Sequence, residues 1–123
     1  PDVFHTGIAV VFVSDYRLYD TIYEERYMNT PQNNPEGYRK GSPIGYASGL
    51  KGNLLLIHGT GDDNVHYQSC GMRVNELVRL GKIFYQLSYP MRAHGINEGQ
   101  GTTYHLRKSM VDFWLKNLPA GGR

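Results

Sequence analysis

Three apolar runs recur along the chain, and each is followed by residues whose apolar positions have helical spacing. The runs cover residues 7–13, 53–58 and 83–89, and the third stops at Pro90. Short runs rich in β-branched, leucine or aromatic residues are typical of strands buried in a parallel sheet. The pattern therefore predicts three strands.

Helical spacing appears in three places. After the first run, four tyrosines recur at steps of three, four and four, which places their phenols on one face of a helix or of a pair of helical turns. Apolar positions predict a second helix that ends at Leu80–Gly81, and a last helix spans roughly residues 102–118. The apolar positions of these segments are Tyr16, Tyr19, Tyr23 and Tyr27, with Tyr27 expected in the core; Cys70, Val74, Leu77 and Val78; and Leu106, Met110, Phe113 and Trp114.

Residues 29–52 interrupt this order, because they are dense in Pro, Gly, Asn and Ser. They predict a long irregular connection that can contain a helical turn, and the tail of residues 119–123 is expected to fray. Strands that alternate with helices predict an α/β fold, with a parallel sheet covered by helices on both faces. In such sheets catalytic groups gather at the carboxyl ends of the strands.

The composition fits one domain over residues 1–123, with a formal net charge of +2 and interspersed acids and bases. That charge pattern argues against a nucleic-acid partner. The one cysteine, Cys70, cannot form an internal disulfide and is expected to be a small buried hydrophobe, and no apolar run approaches the ~20 residues of a membrane span. The chain does not begin with Met, so we expect a fragment or a processed product.

Candidate chemistry lies just past two of the predicted strands. Asp62 follows the second strand and His94 follows the third, and adjacent strands lie about 4.8 Å apart, so their end residues can meet. A histidine that acts as a general base needs an acceptor on its far ring nitrogen, and a buried carboxylate supplies one. The neighbouring acids Asp62 and Asp63 could instead bind a metal or cap a helix.

The spacing offers Asp62 as a partner for His94, but a helix cap stays open for either acid and is the role expected of Asp63. His58 and His66 are expected to be ordinary polar residues beside the turn. These four side chains lack the repeated ligand spacing of a zinc site, so a metal site is the weaker hypothesis.

Three motifs carry a family resemblance. They are HGTGDDNVHYQ at residues 58–68, AHGI at 93–96 and YRLYDTIYEERYM at 16–28. In this order and separation they resemble the C-terminal part of the hydrolase domain in the dipeptidyl peptidase IV family and its bacterial relatives, within the prolyl oligopeptidase group of serine peptidases. The resemblance covers nearly the whole chain. It implies an α/β-hydrolase fold and a Ser-Asp-His triad, with Asp62 and His94 as acid and base and no metal or organic cofactor.

The resemblance also implies a substrate pocket. Tyr19 and Tyr23 match two aromatic walls for a proline ring, and Val65 also lines that pocket. Asn64 matches a residue that hydrogen-bonds the substrate backbone. Val13 and Tyr16 lie further round the same pocket, and Phe12 and Tyr16 stand where the family often has proline and tryptophan. Flat phenol rings suit a pyrrolidine ring, and asparagine both donates and accepts hydrogen bonds.

A nucleophile is missing from the sequence as given. None of its serines has glycine at both minus two and plus two, so there is no G-x-S-x-G elbow. The family's amino-terminal propeller, which binds the free amine of the substrate, is not represented either. We therefore expect the chain to be inactive alone.

Two hypotheses of different class follow. The first is a fragment of a serine exopeptidase that releases dipeptides after a penultimate proline or alanine, with a tripeptidyl or acylaminoacyl peptidase of the same group as its alternative. The second is a non-catalytic piece that completes a sheet. The resemblance implies as partners a peptide substrate, the rest of the catalytic domain with its propeller, and a second copy in a homodimer, and it favours an extracytoplasmic location.

Overall fold

A three-stranded parallel sheet forms the centre of the molecule in a computed structural model that describes residues 3–118. The predicted tail of residues 119–123 lies outside the described part. The sheet has the order β1-β2-β3, so β2 is the central strand. The strands are β1 (Thr6–Val10), β2 (Asn53–Gly59) and β3 (Tyr85–Tyr89). Because Gly59 lies opposite Tyr89, the carboxyl ends of β2 and β3 coincide.

Within residues 3–118, four α-helices connect or follow the strands. They are α1 (Thr21–Met28), α2 (Pro35–Gly41), α3 (Tyr67–Arg79) and α4 (Thr102–Asn117), with short 3₁₀ helices at Tyr16–Leu18 and Pro43–Gly49. Local chemistry sets their ends: the side chain of Asp20 accepts a hydrogen bond from the Ile22 N–H at the start of α1. Gly81, with a φ of 63°, follows α3, as the sequence predicts.

Alternate residues of β2 pack on opposite faces of the sheet. Leu55 and Ile57 contact Leu106 and Phe113 of α4, whereas Leu56 belongs to a second cluster. That second cluster contains Ala47 and, from α3, Leu77. The prediction of a parallel sheet with helices on both faces, as in the C-terminal portion of an α/β hydrolase, is therefore confirmed.

The first strand is shorter than predicted. It ends at Val10 because Val11 has a φ of 47°, which takes the chain out of the extended conformation. The Val11 N–H still donates to the Ile57 carbonyl oxygen at 2.9 Å. The third strand begins at Tyr85 rather than at residue 83, and Ile83 is exposed.

Residues 29–52 are more ordered than their composition predicts. They contain α2 and the second 3₁₀ helix, each with a proline in its first turn, where proline costs no hydrogen bond. The Asn34 side chain accepts from the Gly37 N–H and so caps α2. The prediction of an irregular connection is therefore wrong for more than half of the segment.

Two single-residue predictions have opposite outcomes. Tyr27 was expected in the core, but the structure leaves 67% of it exposed, so that prediction is wrong. Cys70 is fully buried, as expected. Burial raises the pKa of its thiol to about 11, which keeps the thiol protonated at neutral pH.

Candidate active site

The loops that follow β2 and β3 are tied together where the two strands end. The Thr60 N–H donates to the Tyr89 carbonyl oxygen at 2.9 Å, and the Gly61 N–H donates to the Arg92 carbonyl oxygen at 3.0 Å. At Gly59 an added Cβ would lie 2.2 Å from the Arg92 carbonyl oxygen, so only glycine permits this close approach. These contacts bring the segment after Gly61 beside the loop that carries His94.

Asp62 and His94 meet at this place. His94 Nδ1 lies 3.0 Å from Asp62 Oδ2 and 3.2 Å from Oδ1. The Asp62 side chain is fully buried, whereas 41% of the His94 side chain is exposed. Because a carboxylate only accepts, Nδ1 carries the hydrogen, and in the neutral ring Nε2 keeps its lone pair free for a proton.

Backbone groups hold the same carboxylate from another side. Asp62 Oδ1 accepts from the N–H groups of Asn64 at 3.0 Å and of Val65 at 2.9 Å. Helix α3 starts later, with His66 in the capping position and no side-chain cap. The expectation that Asp63 caps this helix is therefore wrong, and it is Asp62 that accepts from the N–H groups of the loop before the helix.

A second histidine reaches Asp62, and the sequence pattern did not reveal it. His58 is fully buried, and its Nε2 lies 2.8 Å from the Val65 carbonyl oxygen and 3.1 Å from Asp62 Oδ2. The expectation that His58 is an ordinary polar residue beside the turn is wrong. Its position at the end of an apolar strand, four residues before the acid, was the one available signal.

Tyr19 and Asn64 form the wall of an adjacent cavity. The Tyr19 hydroxyl donates to Asn64 Oδ1 at 3.0 Å, although they are far apart in sequence. Both line a cavity of about 500 Å³, together with Leu18 and His66. The Tyr19 and Tyr23 rings pack edge to face with centroids 6.0 Å apart, and the Tyr23 and Tyr27 rings do so at 5.2 Å.

The other residues expected in the pocket lie in different surroundings. Val65 is buried, with its backbone held between Asp62 and His58. Val13 lines another cavity, of about 160 Å³, with Phe12. Tyr16 packs beside Gly41, where an added Cβ would lie 3.5 Å from its ring. The pocket roles of Val13 and Tyr16 stay predictions.

Residues 3–118 contain neither a metal-binding cluster nor a membrane-spanning helix. In that part of the chain no group of three or more His, Cys, Asp or Glu side chains is arranged to hold a metal ion. Within the same residues no helix combines the length and apolarity that crossing a membrane requires.

Comparison with known proteins places this geometry in a family. The model of the prolyl oligopeptidase family matches residues 1–120. The chain is 46% identical over 96 residues to a protein of Colletotrichum graminicola named probable dipeptidyl-aminopeptidase B, covering 76% of this chain and 10% of that one. It is 39% identical over 111 residues to dipeptidyl peptidase 4 of Trichophyton equinum, covering 86% and 14%.

A solved structure supports the same family. The crystal structure of Porphyromonas gingivalis dipeptidyl peptidase 4 superposes with a TM-score of 0.91 at 42% identity, over 94% of this chain and 16% of that one. The chain thus spans only a small part of each relative's length. The relatives are fungal as well as bacterial, so the expected bacterial type stays a prediction. This chain belongs to the prolyl oligopeptidase family of serine peptidases, among the proteins similar to dipeptidyl peptidase IV.

Proposed function

We propose that this chain is the C-terminal part of the catalytic domain of a serine exopeptidase that releases dipeptides from peptide N-termini after proline or alanine. The observation that carries the proposal is the hydrogen-bonded pair of Asp62 and His94 at the carboxyl ends of adjacent strands. A buried carboxylate on Nδ1 fixes the tautomer of the histidine and stabilises the imidazolium that forms when Nε2 takes a proton.

The proposed reaction is acyl transfer to a serine. A serine hydroxyl in a G-x-S-x-G elbow would give its proton to His94 Nε2 as it attacks the carbonyl carbon of the scissile bond. His94 would then pass that proton to the leaving amine. The sequence contains no such elbow, so the serine comes from another part of the polypeptide in this proposal. The oxyanion hole belongs to that part as well.

The proposed pocket accounts for proline or alanine at the second substrate position. In this proposal the edge-to-face rings of Tyr19 and Tyr23 supply apolar walls, and Val65 is a further wall. Asn64 receives the Tyr19 hydroxyl on its amide oxygen, which leaves the amide N–H₂ free to donate to a substrate carbonyl. Val13 and Tyr16 are assigned to the pocket in this proposal from the family resemblance alone.

The partners of the chain are part of the same proposal. The rest of the catalytic domain would supply the serine, and a propeller would bind the free amine of the peptide. A homodimer and an extracytoplasmic location are proposed from the family resemblance alone. Peptide hydrolysis needs no organic cofactor in this scheme.

The test uses the complete protein that carries this chain and three chromogenic substrates. We expect rapid release of p-nitroaniline from Gly-Pro-p-nitroanilide, and slow release from Gly-Gly-Pro-p-nitroanilide and acetyl-Ala-p-nitroanilide. Preference for the tripeptide or for the acetylated substrate would favour tripeptidyl or acylaminoacyl peptidase activity instead. Inertness toward all three substrates and toward a fluorophosphonate, which labels activated serines, would contradict the proposal and favour a non-catalytic piece.

A further inference from the structure

His58 sits at the end of the central strand in a closed aromatic setting. Its side chain is fully buried, and its ring makes edge-to-face contacts with Phe12 and Tyr67. The ring centroids lie 5.7 Å apart at 80° for Phe12 and 5.8 Å apart at 78° for Tyr67. Rings on two sides hold the imidazole in one orientation, so its nitrogens have fixed positions.

The position of Nε2 determines where the hydrogen of this ring lies. Its two neighbours are the Val65 carbonyl oxygen at 2.8 Å and Asp62 Oδ2 at 3.1 Å, and both only accept. Nε2 must therefore donate, in a hydrogen bond shared between the two oxygens. The same Oδ2 lies 3.0 Å from His94 Nδ1, so two histidines donate to one oxygen.

The other ring nitrogen supports the same assignment. His58 Nδ1 is the one buried side-chain nitrogen or oxygen in residues 3–118 that has no hydrogen-bond partner. A buried N–H without an acceptor is rarer in proteins than an acceptor without a donor. The hydrogen therefore lies on Nε2, and Nδ1 carries the bare lone pair.

Asp62 needs a donor on each of its oxygens if its plane is to stay fixed. Oδ1 is held by the backbone N–H groups of Asn64 and Val65, whereas His58 and His94 reach Oδ2. His94 is partly exposed, so of the two donors to Oδ2 only His58 is locked by packing. Through the Val65 carbonyl oxygen, the same N–H also ties β2 to the segment that carries Asn64.

We propose that His58 is a positioning residue that holds the Asp62 carboxylate toward His94 by donating from Nε2 while it stays in one tautomer. The inference rests on the proposed function, because it assigns His58 a part in orienting the base of that reaction. His58 itself does not touch substrate in this proposal. Its effect should therefore appear in the turnover number rather than in substrate binding.

Two amide replacements of different length test whether the position of the donor nitrogen matters. The amide nitrogen of His58→Gln can occupy the place of Nε2, whereas that of His58→Asn reaches only as far as Nδ1. In the complete protein, with Gly-Pro-p-nitroanilide, we expect His58→Asn to lower kcat about 10- to 100-fold, as for one lost hydrogen bond to a charged group. KM should stay within about twofold, and His58→Gln should restore most of kcat. The rate of labelling by a fluorophosphonate should follow kcat.

The outcomes separate this inference from the proposed function. An active wild type whose kcat is unchanged in His58→Asn overturns the role of His58 alone. Equal losses of kcat in both variants overturn it as well, because the position of the donor nitrogen would then not matter. A change in KM alone also overturns it, because His58 would then act on substrate binding. A wild type that neither cleaves the substrate nor reacts with the fluorophosphonate overturns the proposed function and this inference together.

A spectroscopic measurement on the wild type covers the case in which His58→Asn fails to fold. In protein labelled with ¹⁵N-histidine, long-range ¹H–¹⁵N spectra distinguish the two neutral tautomers. The signal absent from His58→Gln should show the neutral ring with its hydrogen on Nε2 at neutral pH. Hydrogen on Nδ1 alone would overturn the inference.

Discussion

Asp62 accepts several of the hydrogen bonds that hold the site together. Its buried carboxylate receives N–H groups from Asn64, Val65, His94 and His58. Burying a carboxylate is costly unless hydrogen bonds replace its water, so four donors explain how this charge is kept in the interior. Of the two histidine donors, only His94 is partly exposed, and it lies in the loop after the carboxyl end of β3.

Tyr19 allows a prediction about the pocket. Tyr19→Phe keeps the ring beside Tyr23 but removes the hydroxyl that holds the Asn64 amide. We expect KM for Gly-Pro-p-nitroanilide to rise about threefold to tenfold, as for one neutral hydrogen bond, with kcat within about twofold. Steady-state kinetics of the complete protein measure both constants.

Tyr46→Phe is the matched control for this change. Tyr46 is exposed, and its hydroxyl donates to the Lys40 carbonyl oxygen at 2.8 Å, away from the described cavity. The Tyr46→Phe substitution should leave KM and kcat unchanged. Equal effects of the two substitutions would contradict the role of Tyr19.

Sequence patterns predicted part of this residue-scale picture. Asp62 and His94 could be paired because each follows a strand, and the ends of neighbouring parallel strands must meet. His58 could not be assigned, because an apolar run predicts that a residue is buried but not which side chain it touches. Asp63 was misassigned for a related reason: two adjacent acids offer equal chemistry, and only the turn geometry decides which oxygen faces the N–H groups.

At the scale of elements, buried polar contacts anchor the segment that carries Tyr19. The Ser14 N–H donates to Ser69 Oγ on α3 at 2.8 Å, and the Ser14 hydroxyl donates to the Ser69 carbonyl oxygen at 2.7 Å. The next residue, Asp15, accepts from Arg17 and caps the first 3₁₀ helix. The Tyr16 N–H donates to Ser42 Oγ, which links this helix to the end of α2.

The Asp15–Arg17 pair predicts how stability depends on pH. A hydrogen bond from Arg17 holds the pKa of the buried Asp15 carboxyl below its ordinary value of 3.8. A lowered pKa means that the folded chain releases this proton more readily than the unfolded chain. The stabilisation is therefore present above about pH 4 and is lost as the pH falls through the folded pKa.

We expect Arg17→Met to lower the free energy of unfolding at pH 7 by about 1 kcal/mol. This is less than a fully buried pair would contribute, because the Arg17 side chain is 63% exposed and solvent screens its charge. The difference from wild type should shrink below about pH 4, and urea denaturation at several pH values measures it. Arg39→Met is the control, since Arg39 and Glu36 are both exposed and should contribute little. A difference that stays constant down to pH 2 would argue against this ion pair.

The elements were predictable where one physical signal dominated. The apolar runs identified the three described strands and their parallel arrangement, whereas the ends of β1 and β3 were not predicted. Val11 leaves the extended region although β-branched residues favour strands, so tertiary contacts override its propensity. Residues 29–52 were underestimated because proline marks both loops and the first turns of helices.

At the scale of the whole molecule, the sheet and several apolar side chains are open to solvent. In the part of the chain that the structure describes, β1 pairs with β2 alone, and one of its edges is therefore unpaired. Large apolar side chains are exposed on several elements. Examples are Val3, Phe4, Ile83, Val111 and Leu115. Open edges and apolar surfaces of this kind favour association with whatever completes them.

The isolated 123-residue polypeptide is therefore expected to self-associate or to aggregate. Size-exclusion chromatography with light scattering measures this directly, and co-expression with the remainder of the catalytic domain should suppress it. A stable, monodisperse monomer would show that the chain is self-sufficient. That result would favour the view that it is a domain of its own.

The pairing of Asp62 with His94 is the central claim, and the turnover number of Asp62→Asn in the complete protein tests it most directly. The new amide has an oxygen that can accept from His94 Nδ1, but also an N–H₂ group that can donate to it. The tautomer needed for proton transfer, with hydrogen on Nδ1, is therefore lost. With Gly-Pro-p-nitroanilide we expect kcat to fall by about four orders of magnitude. Asp112→Asn, which changes an exposed carboxylate paired with Lys108 on α4, should keep the wild-type kcat. A wild-type kcat in Asp62→Asn would contradict the claim.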